Sequence, residues 1–485
     1  MFHRLIKLLL VFVFFIGNEK LNGQTFFGLQ NSNYGGVNLI YTNPSTIAMM
    51  PQKRSANIGG FGFNVDNNYL SLETPFSLWQ LVNNNVDDQY RNANGGIDWQ
   101  SSWLKEQGSV SEIWANVGME FRGPAYANKF GDRFAWGTAT RTRSTASIRN
   151  VSPELITWAK NLMDSTSVPN ILNFATNSMT LSANSFQEIS GVFAFRAIDA
   201  DALKLAFGAT AKIILGMGSF NINNSGPQFK TYGIDSISLS GGTISASYTD
   251  NNVMQQMLKG VLLGSLPNFN NINGFGYGFD LGFSMEFGGS GSSLTKGRYR
   301  DHKLRIAGSV LDLGKISYNN KSTGFELSGT PTVTMPLNTP EFVLAAAQGS
   351  EAVFDHVIEY AKSKGAYKSI DVLTAVNLPA TVQLQADYQI VRYINVAAHW
   401  KQALNLDDPF TVRTNSSLVV VPRFEHAWFE FSVPMSIYNN YRKFGMGGFM
   451  RLGPVFIGTD NFLNSLSATK FTGMNMYFGF STLIP

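Results

Sequence analysis

The stretch "GFGYGFDLGFSMEF", residues 274–287, decides the fold. One parity reads Phe275, Tyr277, Phe279, Leu281, Phe283, Met285, Phe287. The other reads Gly274, Gly276, Gly278, Asp280, Gly282, Ser284, Glu286. Side chains alternate faces along a strand, so one face is wholly apolar and the other is tiny or charged. A soluble sandwich strand rarely keeps its apolar face aromatic over such a run. A tilted membrane strand, with lipid outside and a polar lumen inside, accounts for it directly.

The same alternation recurs along the chain. Phe61 and Phe63 oppose Gly60, Gly62 and Asn64; Ile189, Phe193 and Phe195 oppose Glu188, Ser190 and Arg196. Leu205, Phe207 and Ile213 oppose Lys204, Gly208, Thr210 and Lys212. Val382, Leu384 and Tyr388 oppose Gln383, Gln385 and Asp387, and Met476, Phe478 and Phe480 oppose Asn475, Tyr477 and Gly479. Short connections ("IDADA", "QIVRY", "VPRFEH") alternate with long ones, as in a barrel with tight periplasmic turns and long outer loops. This rhythm predicts an all-β transmembrane antiparallel barrel of roughly 14 strands. It takes residues 57–72 as one strand and "SLSGGTISASY" as a hairpin within an outer loop. Helical spacing of Phe354, Val357, Ile358 and Ala361 predicts a helical insertion in the loop 340–365, and "NVMQQMLKGVLLG" (252–264) predicts a second.

Composition agrees. Only 14% of the 485 residues are charged while 13% are aromatic, with 46 Gly. Mean hydropathy is nevertheless −0.04, so the apolar residues are dispersed among polar ones rather than gathered into helical spans. The net charge of +4 comes without a basic run, which argues against a nucleic-acid partner. The absence of cysteine excludes disulfides and thiolate metal sites. His3, Arg4 and Lys7 precede an apolar run from Leu8 to Ile16, followed by Leu21 and Gly23. That pattern predicts a signal peptide over residues 1–23, and hence export to the bacterial outer membrane, with lipid as the first partner. The expected organisation is a signal peptide (1–23), an N-terminal hatch (24–56) and a transmembrane barrel (57–485).

No catalytic constellation stands out. The five histidines form neither HExxH nor a close pair, and G-x-S-x-G is absent, so no enzyme, cofactor or metal is expected. A barrel lipid hydrolase built on His399 and a strand serine is the weakest alternative. The strand glycines of "GFGYGFDLG" leave room in the lumen rather than cradle phosphate. By parity Glu120, Arg122, Glu188, Arg196, Lys204, Lys212, Asp280, Glu286, Asp387 and Lys401 face the lumen. Both signs are present, so they are read as a structural ion-pair network holding an internal plug before a substrate-selective ring. Arg133, Arg141 and Arg143 share one parity and would add positive charge.

The stretch "NLIYTNPSTIAMMPQK" (38–53) is too short and interrupted for a core helix. Asn43 suits a helix N-cap, Pro44 the first helical position, and Pro51 discourages continuation. Asn43, Pro44, Ser45 and Pro51 are therefore read as a preset, kinked hatch, the place to look for gating.

"TNPSTIA" resembles the Asn-Pro-Ala motif near the mature N-terminus of long-chain fatty-acid transporter-like outer-membrane barrels, with Ser45 in place of Ala. "GYGFDLG", "LRIAGSVLDLGKISY" and "LPATVQLQADYQIVRYINVAAHW" are similar to later strands of that superfamily. "RLGPVFIGTDNF" is similar to a signature of an uncharacterised barrel family from the phylum that uses type IX secretion. The resemblance implies a barrel of about 14 strands with an internal hatch. It also implies uptake of hydrophobic small molecules, or a role beside secretion-system proteins. The sequence thus leads to a plugged channel for hydrophobic molecules, with a scaffold for secretion or surface machinery as the alternative.

Overall fold

In the computed structural model the chain forms a closed antiparallel barrel of 14 strands. The structure describes residues 26–484 except 78–79, 82, 93–94, 99, 109–111, 158–171, 176–177, 201, 234, 250–271, 289–301, 319–322, 349, 371–374, 405–413, 439, 462–469 and 472. The predicted signal peptide and the helix expected at 252–264 lie outside the described residues.

The wall is built, in chain order, from β1 (Arg54–Asn57 and Gly60–Asn67), β2 (Ile113–Phe130), β3 (Phe134–Val151), β4 (Thr180–Asp199) and β5 (Leu203–Ser225). It continues with β6 (Gly274–Phe287), β7 (Leu304–Ser317), β8 (Thr381–Val391), β9 (Ile394–Ala403) and β10 (Ser417–Glu425). The last are β11 (Phe429–Ser432 and Met435–Tyr438), β12 (Lys443–Met446 and Gly448–Leu452), β13 (Val455–Thr459) and β14 (Gly473–Phe480 and Thr482–Ile484). Each strand pairs with its chain neighbours, and β14 closes on β1 through Gly60↔Gly479 and Arg54↔Ile484. Closure leaves no strand edge to satisfy inside the bilayer.

Residues 274–287 show why the wall has two faces. Phe275, Tyr277, Phe279 and Leu281 are exposed on the outside, whereas Asp280 and Ser284 are buried inside. Trp136, Phe193, Phe207, Leu384, Phe431 and Phe478 continue the exposed apolar belt around the barrel. Thr138 and Thr140 interrupt it on β3, where the Thr140 hydroxyl donates back to the Pro124 carbonyl at 3.1 Å. No described helix is long and apolar enough to cross a membrane.

Three readings of the sequence change. "VPRFEH" (421–426) is not a connection, because all of it but His426 belongs to β10, which pairs with β9. The first strand begins at Arg54 and its barrel portion ends at Asn67, rather than running from 57 to 72. Asn67 Oδ1 accepts the N–H groups of Tyr69 and Leu70, which turns the chain out of the wall. Leu70–Glu73 then joins Leu104–Glu106 and Lys470–Phe471 in a three-stranded loop sheet. "SLSGGTISASY" is not a hairpin. Ser236–Ser240 pairs with Gln228–Tyr232 and Val333–Pro336, while Thr243–Tyr248 pairs with β5 and Thr323–Ser328. Gly241 and Gly242, both at positive φ, make the turn between these two destinations. The expected loop helices appear as α1 (Pro340–Gln348) and α2 (Ser350–Ser363).

Candidate functional site

The chain before β1 lies within the barrel. From Phe26 to Met50 every residue but Tyr41 is buried. It forms one α-helical turn (Phe27–Gln30) and two 3₁₀ turns (Gly36–Tyr41 and Pro44–Met49). Asn43 caps the last of these, its Oδ1 accepting the Ser45 N–H at 3.0 Å with Pro44 at the first position. Pro51 is half-buried just beyond the turn, at the exit toward β1.

The capping turn is also a point of attachment to the wall. Asn43 Nδ2 donates to the carbonyls of Phe283 (2.9 Å) and Gly308 (3.2 Å) on β6 and β7. The hydroxyls of Ser45 and Ser284 lie 2.7 Å apart, and Ser309 donates to the Thr42 carbonyl at 2.6 Å. Lumen-facing glycines make this approach possible. A Cβ on Gly208 would stand 2.5 Å from the backbone of Pro44 and Ser45. Farther down, Arg196 and Lys129 donate to the carbonyls of Ala48 (2.9 Å) and Met50 (2.6 Å). There Val37, Ile40 and Ile47 pack against wall alanines such as Ala127, Ala135 and Ala194. Small wall residues and the inner segment are thus complementary in volume.

The ten lumen charges named from parity fall into distinct neighbourhoods. Arg122 donates to Glu120 at 2.7 Å, and Arg141 bridges Glu120 and Glu188. Arg143 binds Glu188 and Asp312, and Lys212 binds Asp280 (2.7 Å) and Asp312 (2.6 Å). Asp387 receives Arg305, Arg423 and His302. Lys204 and Glu286 face one another across the β5–β6 ladder. Arg196 pairs with Asp199 near the turn, and Lys401 donates to Thr414 at 3.2 Å. His399 Nε2 lies 3.0 Å from Gln383 Oε1. Among the described residues no cluster of three or more His, Asp or Glu is arranged to hold a metal ion.

Several functional neighbours escaped the sequence reading. Glu425 accepts both the backbone N–H and the Nδ2 of Asn33, and Glu430 accepts the Ser32 hydroxyl at 2.6 Å. Arg305 reaches Asn33 and the Asn31 carbonyl, and Asp460 accepts the Phe27 N–H at 3.0 Å. The guanidinium of Arg122 sits 3.8 Å from the Phe26 ring centroid and that of Arg451 4.4 Å from Tyr34. Arg423 and Glu425 share a parity in "VVVPRFEH", a signal that was available. Asp312 is hidden by a bulge: at φ 59° it turns inward beside Leu311, which the strict alternation does not allow.

Two spaces remain. A cavity of about 90 Å³ lies between the inner segment and the wall, lined by Tyr41, Arg143, Phe186, Leu378 and Lys401. A groove of about 530 Å³ lies on the outer, lipid-facing side of β4–β8. Its walls are Phe193, Phe207, Leu281, Phe283 and Leu384, and its floor includes Gly208, Gly282 and Gly308. The Asn43–Ser45 turn occupies the inner side of that same stretch of wall.

A family model described as a family of unknown function, DUF5723, matches residues 48–460. The chain belongs to that family. Members of DUF5723 are thereby represented here by a barrel whose matched region begins within the inner turn. No curated protein matches the chain in sequence. Solved structures similar to it include the P. putida toluene transporter TodX, at 10% identity over 96% of this chain and 99% of that one, with a TM-score of 0.43. The Ralstonia pickettii toluene transporter TbuX is 9% identical over 94% and 98%, with a TM-score of 0.41. A Pseudomonas aeruginosa FadL homologue is 10% identical over 96% and 98%, with a TM-score of 0.24.

Proposed function

We propose that this chain is a non-enzymatic outer-membrane channel that binds or admits hydrophobic small molecules and is held closed by residues 26–53. One observation carries the reading: the inner turn Asn43–Ser45 is docked on glycine-thinned wall whose opposite face is a 530 Å³ apolar groove. The groove offers aromatic and aliphatic lining to an apolar solute. The buried ion pairs inside serve to dock the closing segment, since Glu425, Glu430, Asp460 and Arg305 all bond to it. Liposomes carrying the full chain should take up a small aromatic hydrocarbon faster than empty ones. Gly308→Leu should slow that uptake, because a side chain there would meet the Phe283 ring and fill the groove. Equal uptake with and without protein would remove the reading.

A second reading is a scaffold for secretion or surface machinery. It is favoured by the outer loops, which carry a four-stranded and a three-stranded sheet as well as α1 and α2, more structure than a passive channel rim needs. Stoichiometric co-purifying partners together with absent uptake would favour it.

A further inference from the structure

A row of ladder irregularities crosses the wall beside the inner segment. On β2, Gly123 and Pro124 stand opposite the single residue Thr140 of β3, as the register passes from Arg122↔Arg141 to Ala125↔Ala139. This is a β-bulge, and Pro124 has no N–H to donate across it. On the other side of β2 the regular strand β1 is broken between Asn57 and Gly60. Side-chain donors reach the carbonyls around the bulge. Asn57 Nδ2 donates to the Gly123 carbonyl at 3.2 Å, and the Thr140 hydroxyl donates to the Pro124 carbonyl. The Tyr41 hydroxyl donates to the Thr140 carbonyl at 3.1 Å, and Tyr41 belongs to the inner segment, not to the wall.

Tyr41 does more than one thing at this point. Arg122 and Arg141 are directly opposite one another, a like-charged pair on adjacent strands. Both guanidiniums lie 4.7 Å from the centroid of the Tyr41 ring, with Glu120 bridging them. The aromatic face offsets part of their repulsion. Withdrawal of Tyr41 would leave a strand carbonyl without its hydroxyl donor and two cations without the ring they share.

We propose that Tyr41 couples docking of the inner segment to closure of the wall at the Gly123–Pro124 bulge, so that segment and seam loosen together. By linkage the dependence is reciprocal: whatever weakens the segment elsewhere weakens the seam, and the reverse. The coupling is independent of which molecule passes, so it stands or falls apart from the transport reading.

Hydrogen–deuterium exchange on the full chain in detergent tests it, with heat-modifiable gel mobility confirming that each variant is a folded barrel. Tyr41→Phe keeps the ring and removes the donor. It should speed exchange about fivefold both in 36–49 and in 121–126 and 138–142, the loss of roughly one buried hydrogen bond. Asn43→Ala, which removes the Asn43 bonds to β6 and β7 and touches neither β2 nor β3, should also speed exchange at 121–126 and 138–142. Exchange that rises only in 36–49 in both variants, or in neither region, overturns the coupling. Should Tyr41→Phe fail to fold, Asn43→Ala alone decides between these outcomes.

Discussion

Gly282 leaves room for Asn43: a Cβ built on Gly282 would stand 2.2 Å from the Asn43 Oδ1. Gly282 is paired with Gly208 across β5 and β6, and Gly208 bears the same relation to Pro44 and Ser45. Two side-chain-free positions on adjacent strands thus form the seat of the inner turn. Replacing either by valine suits a strand and should leave the barrel folded. It should also expel the turn. Single-channel recordings of Gly282→Val should show larger or more frequent openings than the parent. An unchanged trace with unchanged mobility would mean that the turn does not depend on this seat.

Glu425 anchors the first part of the segment through Asn33 while also receiving Asn395 and Arg423. Glu425→Ala leaves the buried Asn33 N–H and the Arg423 Nε without their acceptor, although Arg423 keeps Asp387, at a cost of about 1–3 kcal/mol. Glu425→Gln retains an acceptor for Asn33 and should cost less. The temperature at which the barrel loses its compact gel mobility should therefore fall in the order parent, Gln, Ala. Coincident temperatures for all three would contradict the assignment.

Asp312 combines a left-handed backbone with three cationic partners, Arg141, Arg143 and Lys212. Asparagine tolerates that backbone but loses the charge, whereas valine loses the charge and adds about 1–2 kcal/mol of backbone strain. Asp312→Val should therefore be the less stable of the two by thermal unfolding in detergent. The reverse order would show that the bulge is not maintained in the folded protein.

The barrel was legible because its signal is local and repeated. Phe275 to Phe287 alternate with Gly274 to Glu286 whatever the rest of the chain does, and every strand pair restates the pattern. The Asn43–Pro44 cap was legible for the same reason, since its bonds span two residues. The docking partners were not. Ser32 meets Glu430 across 398 positions and Phe27 meets Asp460 across 433, and no periodicity reports such pairings. Asp312 was missed because a bulge shifts parity by one residue without a glycine or proline at that position to announce it. The loop sheets were missed because Leu70–Glu73 follows the first strand after only two residues and Ser236–Ser240 meets Thr243–Tyr248 across a Gly-Gly pair, while partners such as Lys470–Phe471 and Val333–Pro336 lie far along the chain.

On the proposed function, residues before β1 close the lumen. Planar-bilayer conductance of the full chain, compared with the same chain lacking residues 38–53, tests it most directly. The parent should be nearly silent, and the deletion variant should form stable, sizeable pores at the same heat-modifiable mobility. A folded deletion variant as silent as the parent would contradict it.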